Sequence, residues 1–391
     1  MHFGLSETQQ AIKNSARQFL TAECPMAGVR RLMETETAFD NALWSKFAEQ
    51  GWTGIIFPEK YDGFGLGMVE MAAALEEMGR ALVPGPFIST VLLAGTLLDH
   101  AGSDEQKRKY LGAICRGEAR STLALLERSA SWDFEAVQLE ATVQLETTPG
   151  AGYLLNGEKL FVDDAGIADF LLVAARIEGE LALLLVPGDA PGLEKMATPG
   201  VDLTRRLYRV SFTNVAAPVE SLLARGERAR QALEAALDVA CLGLVAEMVG
   251  GIQSLLDLTV AYAKTRKQFG RPIGAFQAVQ HQCADMLVLL EGSRSALYYA
   301  AWALGENDPA ARTAISVAKA YASEAYRDAG NKSIQVQGGM GFTWENDAHL
   351  YYRRAKASEI AFGDAAYHRE RIAQSLIDGQ PSRNQVSVAA D

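Results

Sequence analysis

The sequence predicts an α+β protein: an N-terminal helical domain, a middle β-sandwich or barrel domain, and a C-terminal four-helix bundle. Apolar residues recur with helical spacing in residues 1–120 and again in 225–380, which indicates amphipathic helices at both ends of the chain. Between these regions, in 121–224, the pattern changes to the short apolar or alternating runs typical of strands. The final stretch, 381–391, is predicted to be a frayed tail.

The N-terminal region shows helix-start signals and breaks between apolar segments. Ser6 and Gln9 match a capping box ahead of the first helix. Further helices are predicted near 41–50, 68–80, 87–100 and 104–116. Gly63, Gly65 and Gly67 have GxGxG spacing, but no strand–helix–strand unit surrounds them. We therefore interpret this segment as a turn before a helix rather than a dinucleotide fingerprint.

The middle region is predicted to form a small sheet from six runs. They are 122–126, 137–145, 153–162, 170–177, 181–186 and 208–213. Asn156-Gly157 lies among these runs and is a strong hairpin signal, and Glu178-Gly179 marks a second turn. Pro218 is expected to close the domain.

The C-terminal region has the pattern of a four-helix bundle. Helices are predicted near 228–267, 275–304, 309–333 and 346–377. Gly270 and Pro272 are expected to end the first of them. Lys264, Arg266, Lys267 and Arg271 cluster at this joint in an otherwise acidic chain. Such cations suit a helix C-terminus, and together with glycine backbone they also suit a phosphate or pyrophosphate.

Composition excludes some classes of function. A net charge of −11 argues against a nucleic-acid surface. No apolar run is long enough to predict a membrane span, and the N-terminus lacks the pattern of a secretory signal. The four cysteines are scattered, so neither a disulfide framework nor a metal site is predicted. A reducing, cytoplasmic location fits this pattern.

The joint after the first C-terminal helix carries a family resemblance. The residues that hold its spacing are Arg266, Gln268, Phe269, Gly270, Pro272, Ile273, Phe276, Gln277 and Ala284-Asp285-Met286. This pattern resembles the C-terminal domain of the acyl-CoA dehydrogenase family. The resemblance extends more loosely along nearly the whole chain, including Glu76-Glu77-Met78-Gly79. It implies an FAD-dependent α,β-dehydrogenation of an acyl-CoA thioester, in which a carboxylate removes the α-proton and the flavin accepts the β-hydride.

The catalytic base departs from the usual family pattern. Most members carry it as the glutamate of Tyr-Glu-Gly-Thr, but Phe362 occupies that position here and Asp364 is two residues away. Some branches place the base on the preceding long helix instead, and there we predict Glu247 as the base. Gly243, Gly250 and Gly251 surround Glu247 at helical spacing and would leave a bare trough. The alternative is that these glycines permit close helix packing and Glu247 pairs with a cation.

The resemblance also assigns cofactor and substrate residues. FAD contacts are implied for Arg266, Gln268, Phe269, Phe276, Gln277, Gln335, Gly338, Gly339 and, at the flavin ring, Phe161. Arg266 matches an arginine that reaches the pyrophosphate across a subunit interface. Taken alone, the Gly338-Gly339 segment would be a helix stop and turn. Asp238, Gly243 and Gly250 are the predicted substrate contacts, although the family arginine after Asp238 is Cys241 here.

Other departures affect the predicted flavin-ring site. Leu126 and Trp132 replace hydroxyl residues of the family, and Asp163 is expected to repel a reduced, anionic flavin. Some steroid-pathway members are heteromers in which one subunit supplies the ring loops and the other the ADP end. The chain is therefore expected to act as a homo-oligomer or as one subunit of a heteromer, in fatty acid or steroid side-chain breakdown. An atypical or bulky acyl group and an electron-transfer flavoprotein acceptor are expected. A non-catalytic partner subunit and an unrelated helical scaffold are the alternatives.

Overall fold

The computed structural model describes residues 4–144 and 152–377 of the chain. Within them, two compact units are each assembled from separate stretches. Unit 1 comprises the described parts of Met1–Met26, Met68–Val83 and Cys241–Asp391, and unit 2 those of Ala27–Gly67 and Pro84–Ala240. This division differs from the predicted boundaries, which cut the chain only once on either side of the sheet. The predicted tail, 381–391, lies outside the described residues.

The N-terminal region is helical, as predicted. Its α-helices are α1 (Glu7–Glu23), α2 (Met26–Met33), α3 (Asn41–Glu49), α4 (Met68–Arg80), α5 (Thr96–Ala101), α6 (Asp104–Gln106) and α7 (Gly112–Cys115). Ser6 caps α1 with the predicted box: its hydroxyl accepts from the Gln9 amide, and the Gln9 side chain accepts from the Ser6 amide. Two π-helical stretches, Phe87–Gly95 and Lys107–Leu111, continue into α5 and α7.

Unit 2 contains one mixed sheet of eight strands. They are β1 (Ser121–Ala124), β2 (Glu140–Gln144), β3 (Gly152–Asp163), β4 (Phe170–Ile177), β5 (Glu180–Pro187), β6 (Leu193–Thr198), β7 (Leu207–Pro218) and β8 (Leu222–Arg225). The order is β6-β7-β3-β2-β4-β5-β8, with β1 pairing parallel to β4. Leu171, Val173, Val210 and Val215 are wholly buried in the core of this sheet.

Two local predictions for the sheet were wrong. Asn156-Gly157 is not a hairpin turn: both residues lie inside β3, where the pairing with β7 shifts register and Gly157 has φ +143°. Glycine is favoured in a bulge, as in a turn, because it tolerates positive φ. The Asn-Gly dipeptide alone therefore does not distinguish a bulge from a hairpin turn. Pro218 does not close the sheet either, because β8 follows it. The turn at Glu178-Gly179 is present between β4 and β5.

The C-terminal region has five long helices in the described residues, not four. They are α8 (Glu227–Thr265), α9 (Gln277–Gly305), α10 (Ala311–Gln337), α11 (Ala348–Ile360) and α12 (Ala365–Leu376). The predicted helix 346–377 is broken after Ile360, because Phe362 and Gly363 take positive φ angles of 56° and 93°. A short hairpin of β9 (Lys267–Gln268) and β10 (Arg271–Pro272) joins α8 to α9.

Helix α8 is long and apolar enough to pass a length-and-hydropathy test for a membrane span. However, 83% of its most apolar stretch is buried within the protein. Wholly buried side chains along it include Leu244, Val249, Ile252 and Leu255. Its apolar character is therefore that of a core helix.

Candidate functional site

The predicted base, Glu247, lies on α8 in the interior of unit 1. Its side chain is only 5% exposed, and the Arg354 guanidinium on α11 lies 3.5 Å from its carboxylate. Arg354 is equally buried and also donates to the Val83 carbonyl at 3.1 Å. A buried charge needs such a partner, because water is excluded from both groups. The pairing supports the alternative in which Glu247 has a structural role, and its role as base remains a prediction.

The glycines around Glu247 are in contact with other parts of unit 1. A Cβ added at Gly250 would lie 1.8 Å from the Glu76 carbonyl oxygen on α4, and one added at Gly79 would lie 2.0 Å from the Glu247 carbonyl oxygen. A Cβ at Gly251 would meet the Tyr326 hydroxyl at 2.3 Å. Helices α4 and α8 therefore pack backbone to backbone at Gly79 and Gly250. The close approach predicted for a substrate at Gly250 is made here by α4.

The position of the usual family base lies in the turn between α11 and α12. Phe362 is 8% exposed and has φ +56°. A Cβ at Gly363 would lie 2.2 Å from the Tyr367 ring, so only glycine fits there. Asp364 accepts from the Tyr367 amide at 2.8 Å and caps α12. Its carboxylate is thus used as a helix cap.

The basic joint is a β-hairpin, and this corrects the predicted end of α8. The helix ends at Thr265, before Gly270 and Pro272. Gln268 pairs with Arg271, and the two residues between them, Phe269 and Gly270, have φ angles of +51° and +78°. Positive φ at both central residues is the signature of a type I′ hairpin turn. Arg266 is exposed at the base of this hairpin, and its carbonyl accepts from the Ile273 amide at 2.8 Å.

Aromatic rings gather at the same hairpin. The Phe269 side chain is 90% exposed, and its ring centroid lies 6.1 Å from that of Phe276 in an edge-on arrangement. The Arg271 guanidinium lies over the Phe276 ring, 4.2 Å from the ring centroid. Gln268 and Gln277 are also exposed. The hairpin therefore presents cations and apolar surface side by side.

The second predicted cofactor segment follows α10. Gly338 has φ +61° and begins the 3₁₀ turn Gly338–Phe342. A Cβ at Gly338 or Gly339 would meet nothing within 4 Å, so this backbone is bare and open. Gln335 is exposed. By contrast, the Gln337 side chain is buried and holds the turn, because it accepts from Asn346 and donates to Ser333.

The flavin-ring residues predicted in unit 2 lie at the end of β3. Phe161 is 45% exposed and has φ +54°. Asp163 is half-buried. Desolvation, and then the neighbouring Asp164 carboxylate, raise the pKa of Asp163 to about 7, against an opposing effect of Arg205. The carboxyl is therefore partly neutral near pH 7, which weakens the expected repulsion of a reduced flavin.

The predicted substrate residues Asp238 and Gly243 are both buried on α8. Asp238 is only 5% exposed. It lies in the part of α8 that belongs to unit 2, whereas Gly243 belongs to unit 1. Both assignments remain predictions.

A buried charged network in unit 1 was not predicted. Glu76 on α4 is 2% exposed and accepts from Lys13, from Arg294 and from the Tyr298 hydroxyl. Desolvation would raise the pKa of Glu76, but Lys13 and Arg294 outweigh it and lower the pKa below the usual value. The sequence points to Glu76 only through the family resemblance, and it predicts none of these contacts. The available signal was a pair of glutamates inside an otherwise apolar helix.

Comparison with known proteins places these elements in a family. The N-terminal domain model of the acyl-CoA dehydrogenases matches residues 6–118, and the C-terminal domain model matches residues 229–377. A probable acyl-CoA dehydrogenase, YngJ of Bacillus subtilis, is 32% identical and covers 96% of this chain and 100% of its own.

Solved structures agree with these matches. The ChsE4-ChsE5 complex from Mycobacterium tuberculosis superposes with a TM-score of 0.86 at 28% identity, covering 96% of this chain and 99% of its own. PigA with FAD and proline gives a TM-score of 0.88 at 27% identity, with the same coverage. The chain belongs to the acyl-CoA dehydrogenase family, a class of flavin-dependent oxidoreductases whose cofactor is FAD.

The described residues fit the dinucleotide end of that cofactor. A pyrophosphate requires cations and approachable backbone amides. Arg266, Lys267 and Arg271 are exposed, and the backbone at Gly338 and Gly339 is open. In unit 2, the side chain of Phe161 is 45% exposed, and its contact with the flavin ring remains a prediction.

Proposed function

We propose that this chain acts in the FAD-dependent α,β-dehydrogenation of an acyl-CoA thioester, as a homo-oligomer or as one subunit of a heteromer. The observation that carries the proposal is the exposed Arg266 hairpin together with the bare backbone of Gly338 and Gly339. When bound, FAD accepts the hydride that leaves the β-carbon. Arg266 would offset the charge of the pyrophosphate, with Gln268, Phe269, Phe276, Gln277 and Gln335 as its neighbours.

The residues of the chain also bear on how the α-proton of the substrate is removed. A carboxylate must take the α-proton, and position 362 supplies an apolar ring instead. Glu247 is the remaining predicted base, with Asp238, Gly243 and Gly250 as predicted substrate contacts. An atypical acyl group, such as a bulky or steroid-derived one, fits the loss of the usual base. Each turnover leaves two electrons on the flavin, and we infer an electron-transfer flavoprotein or a similar acceptor.

A second candidate function is supported by the ion pair of Glu247. If Arg354 holds Glu247 as a structural charge, unit 1 has an aromatic residue at one base position and an ion-paired carboxylate at the other. The chain would then be a partner subunit that completes the FAD site of a catalytic chain. The ChsE4-ChsE5 neighbour is itself a complex of two proteins. All four cysteines lie in the described residues and none forms a disulfide, which supports a cytoplasmic location for either function.

The experiment that tests the proposal counts flavin per polypeptide. The chain is purified alone and together with the product of the neighbouring gene, and bound FAD is measured from its absorption at roughly 450 nm. We expect Arg266→Gln to lower the FAD content at least fivefold, whereas Lys109→Gln, at an exposed lysine outside the cation cluster, leaves it unchanged. Equal FAD content in both variants would contradict the role of Arg266.

The same preparation distinguishes a homo-oligomer from a heteromer. Full FAD occupancy in the chain alone, with bleaching of the flavin by an acyl-CoA, would support the homo-oligomeric enzyme. Half occupancy that appears only with the second chain would support a heteromer. A colourless protein that binds neither FAD nor acyl-CoA in either preparation would overturn both.

A further inference from the structure

The turn between α11 and α12 holds a strained conformation. Phe362 has φ +56°, and Gly363 follows with φ +93°. A bulky residue at positive φ is unfavourable and persists only where its surroundings hold it. The turn is also largely buried, since Phe362 is 8% exposed. Its carbonyl groups therefore need partners from inside the protein.

Two buried basic side chains supply those partners. Lys319 on α10 is wholly buried, and its Nζ donates to the Gly363 carbonyl at 2.7 Å and to the Glu359 carbonyl at 3.2 Å. His368 on α12 is also wholly buried, and its Nε2 lies 3.0 Å from the Phe362 carbonyl. The two consecutive carbonyls of the turn thus each contact a basic side chain, one from α10 and one from α12.

The protonation of both side chains follows from their partners. The third contact of Lys319 is the Ser323 hydroxyl at 3.1 Å, so its three donors meet three neutral oxygens. A carbonyl can only accept, so His368 must carry its proton on Nε2. Desolvation lowers the pKa of His368 to about 3, and the charge of Lys319 adds to this effect. The imidazole therefore remains neutral and in one tautomer at neutral pH.

This arrangement differs from an ordinary helix cap. The Ala361 amide already donates to Ala357 at the end of α11, and the Asp364 side chain caps the start of α12. The carbonyls of residues 362 and 363 lie past the end of one helix and before the other. Lys319 and His368 therefore each contact a carbonyl of the turn itself. Lys319 also contacts the Glu359 carbonyl, in the last turn of α11.

We propose that Lys319 and His368 are positioning residues, which fix the Phe362–Gly363 turn and thereby the direction of the side chain at position 362. This inference rests on the proposed function, because position 362 is where the family resemblance places the group that faces the substrate. In this chain, the contacts of Lys319 and His368 hold the aromatic ring of Phe362 at that position. Lys319 supplies a cation that bridges the end of α11 and the turn, and His368 supplies a neutral donor.

Amide hydrogen exchange on the full-length protein tests the role of Lys319. We expect Lys319→Met to speed exchange of the amides in 361–364 at least tenfold, whereas Lys319→Arg keeps the rate within threefold of the parent. Lys356→Met is the matched control, because Lys356 is a surface lysine that also contacts Glu359. Unchanged exchange in Lys319→Met, or a loss of the same size along all of α10, would overturn the proposal.

The same measurement separates the role of His368. His368→Leu, which removes the donor, is expected to speed exchange at residues 362–364 at least fivefold. His368→Asn keeps an N–H donor and should recover most of the protection. Equal exchange in both variants would show that His368 only fills space and would overturn its positioning role.

The pH dependence of exchange distinguishes a charged Lys319 that binds the turn from a side chain that only fills space, because a space-filling role predicts no change with pH. Desolvation lowers the pKa of Lys319 to about 8, against opposing effects of Cys241, Asp364 and Glu359. After correction for intrinsic rates, exchange at the turn should rise between pH 7 and 9.5 in the parent protein. Cys241→Ser should keep this rise and Lys319→Met should lack it. Loss of the rise in Cys241→Ser would assign it to the thiol and overturn the pH role of Lys319.

These experiments are independent of the proposed function. Exchange at the turn requires neither bound FAD nor a substrate. If the turn responds as expected but the chain binds no FAD, the proposed function fails and the positioning role remains. If FAD binds but the turn does not respond, only the positioning role fails.

Discussion

The Arg354 guanidinium lies 3.5 Å from the Glu247 carboxylate, and both side chains are almost completely buried. Removing one charge from such a pair leaves the other desolvated and uncompensated, which typically costs about 3–5 kcal/mol. The pair therefore bears on two questions at once: how α8 and α11 are held in unit 1, and whether Glu247 is available to take a proton.

We expect Glu247→Gln to reduce the free energy of unfolding by about 3 kcal/mol because Arg354 loses its charged partner. Because Glu247 is the proposed base, turnover per folded, flavin-loaded molecule should fall about 100-fold or more. Urea denaturation and acyl-CoA-dependent flavin reduction measure the two quantities. Glu345→Gln, at an exposed position of the same unit, is the control and should change neither. Turnover within about twofold of the parent would instead remove Glu247 as the base and leave it only the ion pair with Arg354.

The contact between α4 and α8 predicts a glycine-specific effect. Gly250→Ala would place a Cβ 1.8 Å from the Glu76 carbonyl oxygen, so one helix must move. We expect a loss of about 2–3 kcal/mol in the free energy of unfolding. Gly305→Ala, at the end of α9 where a Cβ meets nothing within 4 Å, should be neutral or slightly stabilising. Equal stability of the two variants would mean that the helices are not in backbone contact.

His368 predicts a slope of stability with pH. Its pKa is lowered from 6.5 to about 3 by desolvation and by the charges of Lys319 and Arg371, against the opposing charge of Asp364. Between these values the unfolded chain binds a proton that the folded chain does not. Stability therefore falls as pH drops from 6.5 towards 3, by at most about 1.4 kcal/mol per pH unit from this group.

Denaturation of the parent protein and of His368→Asn at several pH values measures this contribution. The difference in stability between the two proteins should shrink or reverse as the pH falls, because the variant has no imidazole to protonate. His281→Asn, which alters an exposed histidine, should follow the parent. Parallel curves for the parent and His368→Asn would show that the imidazole does not titrate in this range.

The turn at position 362 predicts a gain of function. Phe362→Glu restores a carboxylate where most of the family carries its base, in a site whose burial would raise the pKa of that carboxyl and strengthen it as a base. We expect flavin reduction by butyryl-CoA to rise at least tenfold in the flavin-loaded protein. Phe342→Glu, at a residue 67% exposed, should not increase it. Absence of any gain, with intact FAD binding, would mean that position 362 does not face the reacting carbon.

The helices were the most predictable part of the fold. The bounds of α4 agree with the prediction at both ends, because Met68–Arg80 is an apolar, periodic segment between glycine- and proline-containing breaks. The sheet was recognised by its alternating runs, but β6 and β8 were missed. The residues of β6, Leu193–Thr198, lie on an edge strand and none of them is buried, so they carry no strong apolar pattern to detect.

The break at 361–364 was missed for a different physical reason. Phe362 occupies a left-handed conformation that its own type disfavours, and the carbonyls of the turn contact the buried side chains of Lys319 on α10 and His368 on α12. Local propensity cannot report such contacts. The same limit applies to the candidate site: the spacing of Glu247 and its glycines was readable, but their partners Arg354 and Glu76 lie on other helices.

The interleaved order of the two units has a consequence for biosynthesis. Unit 2 is complete once residue 240 has left the ribosome, whereas α1 and α4 belong to a unit whose remaining residues begin at Cys241. Until α9 is synthesised, Glu76 has Lys13 beside it but neither Arg294 nor Tyr298. Helices α1 and α4 therefore cannot complete their packing until the C-terminal helices of unit 1 have been synthesised. During that interval their apolar faces are open to the chaperones that bind incomplete proteins.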